Sequence, residues 1–402
     1  MTVQIILMNK SGLVMASDRT IIDRSSHKKL HHKQQKIFPL PEAYKACLMF
    51  NNNIQINGVP WDIVIHQYNA HLNKSKPKLS DTEAILAHFI TFLIQQNDLF
   101  PMVEQNRYAA YDLLAYFKAY QERRYFDWQE KGITAPFHDY LAQSLFSFFL
   151  DKDYQAQPTD TTVPQYKEVI SSISNAQLAE ILGMQSISSS LRSVLDHIMQ
   201  YLLFQGGLIH EKSEIIIAGY GMETIFPAVS TAVIGGAYCN QLHHHIQPSQ
   251  KISHNNQAQI IPFAHSHYIN ETLKGLSGEN EDFILNLFYD QLTHMNIQGS
   301  PISEHSKSHY FEDFRLKLSQ HLRDQHISPM IQAIKHMPEE DMAEIACTFL
   351  RISQFKQNLA ELSFSTASAI DYITINHQNG ATLHCETAAK VHKDETANIT
   401  QY

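Results

Sequence analysis

Near the start of the chain, Thr2, Asp18 and Lys36 form a set with the means for nucleophilic chemistry. With Met1 removed, Thr2 carries a free α-amine and a hydroxyl on one residue. That amine, with a reference pKa of about 8, can take the hydroxyl proton directly or through water, so no second side chain is needed as base. Asp18 ends the run GLVMASDR, and Lys36 opens KIFPL. A hairpin that folds the second run beside the first could bring both near Thr2. A buried lysine there would favour the alkoxide, and the aspartate would hold it charged and oriented. A plainer reading exists for each residue: many chains begin Met-Thr, and an aspartate beside a strand-starting lysine also makes a surface ion pair.

Other candidates are weaker. His243, His244, His245 and His254 lie in a polar stretch before His265 and His267, a set with metal-binding potential. No ligand spacing recurs and no carboxylate is interleaved, so the stretch reads as a polar surface loop with no metal. Gly219-Tyr-Gly221 lacks the third glycine of a dinucleotide turn. Cys47 sits within a strand with no designated base and reads as an inert buried thiol. The run Leu141–Leu150 reads as helical core. No cofactor is expected.

The elements that must position these residues fall into three zones. Residues 2–60 carry strand texture: Val3, Ile5 and Leu7 alternate, Asn9–Gly12 turns the chain, and Leu13–Ala16 begins a second run. A polar, basic stretch from Asp23 to Gln35 precedes the runs Ile37–Leu40 and Ala46–Phe50. Residues 60–210 are helical, opened by a capping box at Ser80-Asp-Thr-Glu83 ahead of apolar positions from Ile85 to Leu93 at helical spacing. Leu113–Tyr125, Tyr140–Leu150, Gln177–Leu182 and Leu191–Phe204 repeat that spacing. Between them Gln155–Pro164 reads as a loop, and Gly206-Gly207 closes the zone. Strand texture returns at Glu214–Gly219 and Phe226–Gly236, followed by a His-rich loop over Gln241–Gln257. Helical texture runs from Glu279 to about Ala360. Ile370–Asn376 and Ala381–Glu386 flank Asn379-Gly380, a strong hairpin signal. Clustered hairpins predict an α+β fold rather than βαβ units.

Composition narrows the function classes. The 402 residues contain 31 Lys plus Arg against 40 Asp plus Glu, a formal charge of −9, which argues against a non-specific nucleic-acid binder. The 24 histidines would remove much of that acidic balance in mildly acid conditions. The four cysteines are far apart with no CxxC, as in a reducing compartment. Neither a signal peptide nor a membrane span is evident, so a soluble, cytoplasmic protein is expected.

The N-terminal segment resembles the proteasome β-subunit family and its bacterial relatives among the N-terminal-nucleophile (Ntn) hydrolases. The resemblance rests on Thr2, Gly12-Leu-Val-Met-Ala-Ser-Asp18-Arg19 and Lys36-Ile-Phe-Pro39. Ile215-Ile-Ile-Ala-Gly-Tyr220 and Ala369-Ile-Asp-Tyr-Ile-Thr-Ile375, with Gln378-Asn-Gly380, agree with it in order. The spacing from Asp18 to Lys36 is slightly longer than the family's, a loop insertion. Where the family has an oxyanion glycine this chain has Phe50-Asn51. The family's Asp and Ser before the last hairpin fall near Ser363 and Thr366. Its Gly-Ser-Gly turn falls in Phe263-Ala-His-Ser-His267.

The resemblance implies a four-layer αββα Ntn sandwich built from residues 2–60 and 210–400, with residues 60–210 as a large helical insertion. It implies a threonine-type hydrolase of amide, expectedly peptide, bonds. Thr2 would be nucleophile, Lys36 and Asp18 its activators, and Arg19, Asn51, Ser266 and Thr366 supporting residues. Self-assembly into a ring or a dimer is implied too, although the chain is much longer than a typical family subunit. Two rivals stay open: a catalytically silent Ntn-fold scaffold, favoured if Met1 is retained, and a small-molecule amidase using the same Thr2.

Overall fold

The computed structural model describes residues 3–22, 29–30, 34–96, 98–150, 163–205, 212–264, 266–297, 300–301, 303–360 and 368–386. The longer strands are β1 (Val3–Asn9), β2 (Leu13–Asp18), β3 (Ile37–Pro39), β4 (Ala46–Asn52), β5 (Ser213–Gly219), β6 (Ala228–Tyr238), β7 (Gln241–Ile246), β8 (Ala258–Ala264), β9 (Ile370–Asn376) and β10 (Gly380–Glu386). The helices are α1 (Trp61–Ser75), α2 (Thr82–Gln95), α3 (Met102–Glu130), α4 (Phe137–Leu150), α5 (Val163–Ser172), α6 (Asn175–Leu182) and α7 (Ser189–Gln205). They continue with α8 (His267–Lys274), α9 (Gly278–His294), α10 (Glu304–Leu322), α11 (Ser328–Ile334) and α12 (Glu339–Ala360). The chain is α+β. One sheet is ordered β8-β1-β2-β9-β10 and a second β7-β6-β5-β4-β3. All four pairings of the first sheet are antiparallel.

The chain divides into two compact units, one of Met1–Met49, Ala218–Val229 and Gln250–Tyr402, the other of Phe50–Ile217 and Ser230–Ser249. In the first, β1 and β2 are buried on both faces. Val3, Ile5, Leu7, Val14 and Ala16 face α8, α11 and α12, whose Ile269, Ile334, Met342, Ala346 and Leu350 complete one apolar cluster. On the other face, Met15 meets Cys47, with the two sulfurs 3.5 Å apart. Burial pushes the Cys47 thiol up, so no thiolate forms there near neutral pH. All four cysteines are free.

Turn chemistry holds this unit in register. The Asn9 amide is wholly buried. Its Oδ1 accepts from the Ser11 and Gly12 amides at 2.8 and 3.1 Å, and its Nδ2 donates to the Ile334 and Met337 carbonyls at 2.9 and 2.8 Å. One side chain thus closes the β1–β2 turn and ties it to Ile334 at the end of α11 and to Met337 just beyond it, where the Ile334 carbonyl also accepts the Met337 N–H at 3.1 Å. Gly219 ends β5 at φ +142°, where an added Cβ would lie 2.3 Å from the Lys45 carbonyl oxygen, so only glycine fits.

In the second unit, α1 and α2 pack on the strands. Trp61 donates its indole N–H to Ser213 Oγ at 2.8 Å, and the Thr82 and Ser230 hydroxyls are 2.8 Å apart. Helices α3 to α7 enclose a separate apolar cluster that includes Leu113, Phe117, Tyr166, Leu195 and Leu203. No described helix is long and apolar enough to cross a membrane.

Three local expectations are corrected. The cap of α2 is Asp81, whose carboxylate accepts from the Ala84 amide at 2.8 Å, and Ser80 lies one position outside the capping site. The first part of the expected His-rich loop is strand β7. It pairs with β6 from Tyr238–Gln241 onward through a tight turn at Cys239 and Asn240, both at positive φ (52° and 61°). A two-residue turn of that kind normally announces itself with glycine, and cysteine hides it. The helical run from Glu279 is interrupted by a two-residue strand pair at Asn296–Ile297 and Ser300–Pro301. Gly206-Gly207 and most of the Asp23–Gln35 and Gln155–Pro164 stretches lie outside the described residues.

Asn9→Ala strands the Ser11 and Gly12 amides and the Met337 carbonyl, while the Ile334 carbonyl keeps the Met337 N–H. Each buried unsatisfied group costs about 1–3 kcal/mol, partly recovered by relaxation, so urea titration is expected to show about 2–4 kcal/mol lost. A change near zero would mean the turn closes without this side chain.

Candidate active site

The register of the first sheet gathers several residues at one end. Gln4 pairs with Ser17, Val3 with Ala264, and Ile370 with Asp18, so the start of β1 lies at the same sheet end as the ends of β2 and β8 and the start of β9. Thr2, the residue before Val3, lies outside the described residues, as does Thr366. Asp18 Oδ1 accepts the Val3 N–H at 3.1 Å. The carboxylate therefore fixes the chain one residue after Thr2.

Lys36 stands just before β3, with Asp18 and Lys36 only 1% and 2% exposed. Its Nζ donates to the Thr20 carbonyl at 2.6 Å and the Asp18 carbonyl at 3.1 Å, and lies 3.5 Å from Asp18 Oδ1. Burial pulls the Lys36 amine below its ordinary value, while Asp18 and, more weakly, Asp371 act to keep it charged. Asp18 Oδ2 is buried with no hydrogen-bond partner among the described residues. Ser17 supports the arrangement: its Oγ donates to the Asp18 carbonyl at 3.0 Å and accepts from Gln4 Nε2 at 3.1 Å.

Arg19 grips Asp371 on β9 through two hydrogen bonds of 2.7 and 2.6 Å, and its amide donates to the Ala369 carbonyl at 3.1 Å. Hydrogen bonding to Asp371 raises the guanidinium above its usual range. Asp371 is a residue the sequence reading did not single out. Its signal was a carboxylate within an otherwise apolar strand, IDYITI, which is costly unless paired.

Ser266 follows β8 at the same sheet end and stands at the N-terminal boundary of α8 without a side-chain bond to the helix backbone. Its hydroxyl accepts from Asn270 Nδ2 at 3.1 Å. Ala264 before it holds φ 59°, a left-handed conformation that costs a non-glycine residue roughly 1–2 kcal/mol. Asn51 belongs to the second unit, where its Nδ2 donates to Glu214 at 2.7 Å. Burial raises the Glu214 carboxyl, against that hydrogen bond. The first unit therefore joins Asp18, Lys36 and Arg19 at one sheet end with Ser266 alongside.

Among the described residues no three His, Cys, Asp or Glu side chains converge as metal ligands. His243 is buried and pushed down to about 4, whereas His245 is exposed.

No protein-family model matches the chain, and no curated protein matches it. Among solved structures it is similar to the Anbu (Gly-1) mutant from Hyphomicrobium sp. strain MC1, at 10% identity, 80% coverage of this chain, 96% of that chain and a TM-score of 0.24. It is also similar to Anbu (ancestral beta-subunit) from Yersinia bercovieri, at 10% identity, 83% coverage of this chain, 98% of that one and a TM-score of 0.23. TM-scores this low establish neither a shared fold nor a shared activity.

Because burial lowers Lys36, the unfolded chain, with its lysine near 10.5, holds that proton more tightly than the folded one. Between the lowered value and 10.5 the unfolded state binds more protons, so stability attributable to Lys36 rises with pH. Wild-type stability relative to Lys36→Met is expected to increase as the pH is raised toward 10.5 in paired urea titrations. A flat or falling difference would remove the buried-ammonium account.

Proposed function

We propose that the chain is an N-terminal threonine hydrolase of the proteasome β-subunit kind, in the αββα Ntn class, cleaving peptide amide bonds. The observation that carries this reading is the buried Asp18–Lys36 pair whose carboxylate also binds the Val3 amide. It puts a fixed cation and a fixed anion beside the residue that follows the nucleophile.

In this mechanism Met1 is removed, and the α-amine of Thr2 takes the proton from its own hydroxyl as Oγ attacks the scissile carbonyl. Lys36 stabilises the developing alkoxide without giving up its proton, and Asp18 holds Lys36 in place. The tetrahedral intermediate then breaks its C–N bond, the leaving amine receives the proton from the Thr2 ammonium, and water hydrolyses the acyl ester by the same steps in reverse. Arg19 and Asp371 brace the end of β2. Ser266 is a supporting hydroxyl, and Thr366 is a second proposed one. Residues 60–210 are the proposed insertion on the Ntn core, and a homo-oligomer working in the cytoplasm is the proposed form.

The intact mass of untagged protein tests the first step: loss of one methionine is expected. Turnover of a fluorogenic peptide panel should rise through about pH 8, as the Thr2 amine loses its proton. It should fall roughly 10³-fold or more in Thr2→Ala and nearly as far in Lys36→Ala, with circular dichroism confirming folding. Undiminished turnover in Thr2→Ala would overturn the mechanism. A retained Met1 with no turnover would move the reading to a silent scaffold, and turnover of small amides alone to an amidase.

A further inference from the structure

The second unit contains a cavity of about 390 Å³ that the hydrolase reading does not use. This volume falls within the size range of small-molecule sites, about 300–1,000 Å³. One wall is α3, where Arg107, Tyr108, Tyr111 and Asp112 occupy adjoining positions of one helix face. The facing wall is the short hairpin after β4, including Asn53, Gln55, Asn57 and Gly58, and β6 closes the cavity with Gly235 and Tyr238.

These walls are tied together before any ligand arrives. Asn57 and Gly58 turn the hairpin at φ 47° and 77°. The Asn57 side chain exchanges two hydrogen bonds of 2.8 Å with the Ala237 backbone, which pins the turn to β6. A Cβ at Gly58 would lie 2.0 Å from the Tyr108 hydroxyl, so the Tyr108 ring rests over the bare glycine backbone. Tyr238, 2% exposed, donates its hydroxyl to Asp112, itself 6% exposed.

Charge sets the ligand class. Asp112 is a carboxylate at a mostly buried position, and a carboxylate accepts several hydrogen bonds at once. Arg107 lies near the opening, 67% exposed, over the Tyr108 ring at 5.3 Å and paired with Glu104. Such an exposed pair is weak in water, so a ligand carboxylate can replace Glu104 at little cost. A simple anion would face Asp112 in a low-dielectric site, and a simple cation would leave Arg107 unused. Side-chain amides of Asn53 and Gln55 suit a peptide group, and Tyr111 offers an aromatic flank.

We propose that this cavity binds a small zwitterion, a free dipeptide, with its ammonium on Asp112 and its carboxylate on Arg107. The proposal goes beyond the hydrolase reading and does not depend on it, since every lining residue belongs to the second unit.

Titration calorimetry on full-length Thr2→Ala protein tests it while keeping any hydrolysis out. The probes are phenylalanyl-alanine, its N-acetyl form and its C-terminal amide. The free dipeptide is expected to bind saturably below about 1 mM, and each blocked form about tenfold more weakly. Asp112→Asn should erase the penalty for acetylation, and Arg107→Gln the penalty for amidation. No saturable binding, or affinity indifferent to both blocking groups, would overturn the assignment. Arg107 is exposed, so Arg107→Gln decides the matter even if Asp112→Asn fails to fold.

Discussion

An ammonium taken out of water must be repaid by oxygens placed before it arrives. Lys36 meets that requirement with two carbonyls and the Asp18 carboxylate, all supplied by the last turn of chain around the end of β2. The desolvation cost of each buried ion is several kcal/mol, so the pair survives only where the register of β1, β2 and β9 holds those oxygens still. Asp18 serves two neighbours at once, Lys36 and the Val3 amide. Loosening the sheet end would therefore cost both the ion pair and the position of the first residues of the chain.

The second ion pair reinforces the first. Arg19 and Asp371 meet across the β2–β9 boundary by a two-pronged contact that fixes orientation as well as distance. Asp371 also helps keep Lys36 charged. Alternating charges at this sheet end compensate one another, which is how so many ionised groups share a largely buried location. The helices α11 and α12 beneath β1 and β2 supply the apolar mass that keeps the register, with Asn9 stitching turn to helix.

In the second unit the polar cavity rests on a different principle. Its walls carry few buried ions and are held by the Tyr108 ring resting over Gly58 and the Asn57 side-chain clamp on β6. Preorganised walls spare a ligand the entropic cost of ordering loops.

Alternation of apolar residues made β1 and β2 legible, the Asn379-Gly380 pair marked the β9–β10 hairpin, and helical spacing marked α2, because these signals act over a few residues. Errors arose where one residue decided between neighbours, as with Asp81 rather than Ser80 at a helix cap, or where turn chemistry was disguised, as at Cys239-Asn240 before β7. Spacing brought Asp18 and Lys36 forward as a pair, but their burial and their three shared oxygens belong to the fold. Arg19 and Asp371 are 352 residues apart in the chain, and no local pattern links them. The amino-acid sequence by itself determined which segments became strand or helix and which residue types stood near the N-terminus. Only the tertiary structure decided which charges met, because partners so distant are chosen by strand register and by the cost of leaving a buried charge without a partner.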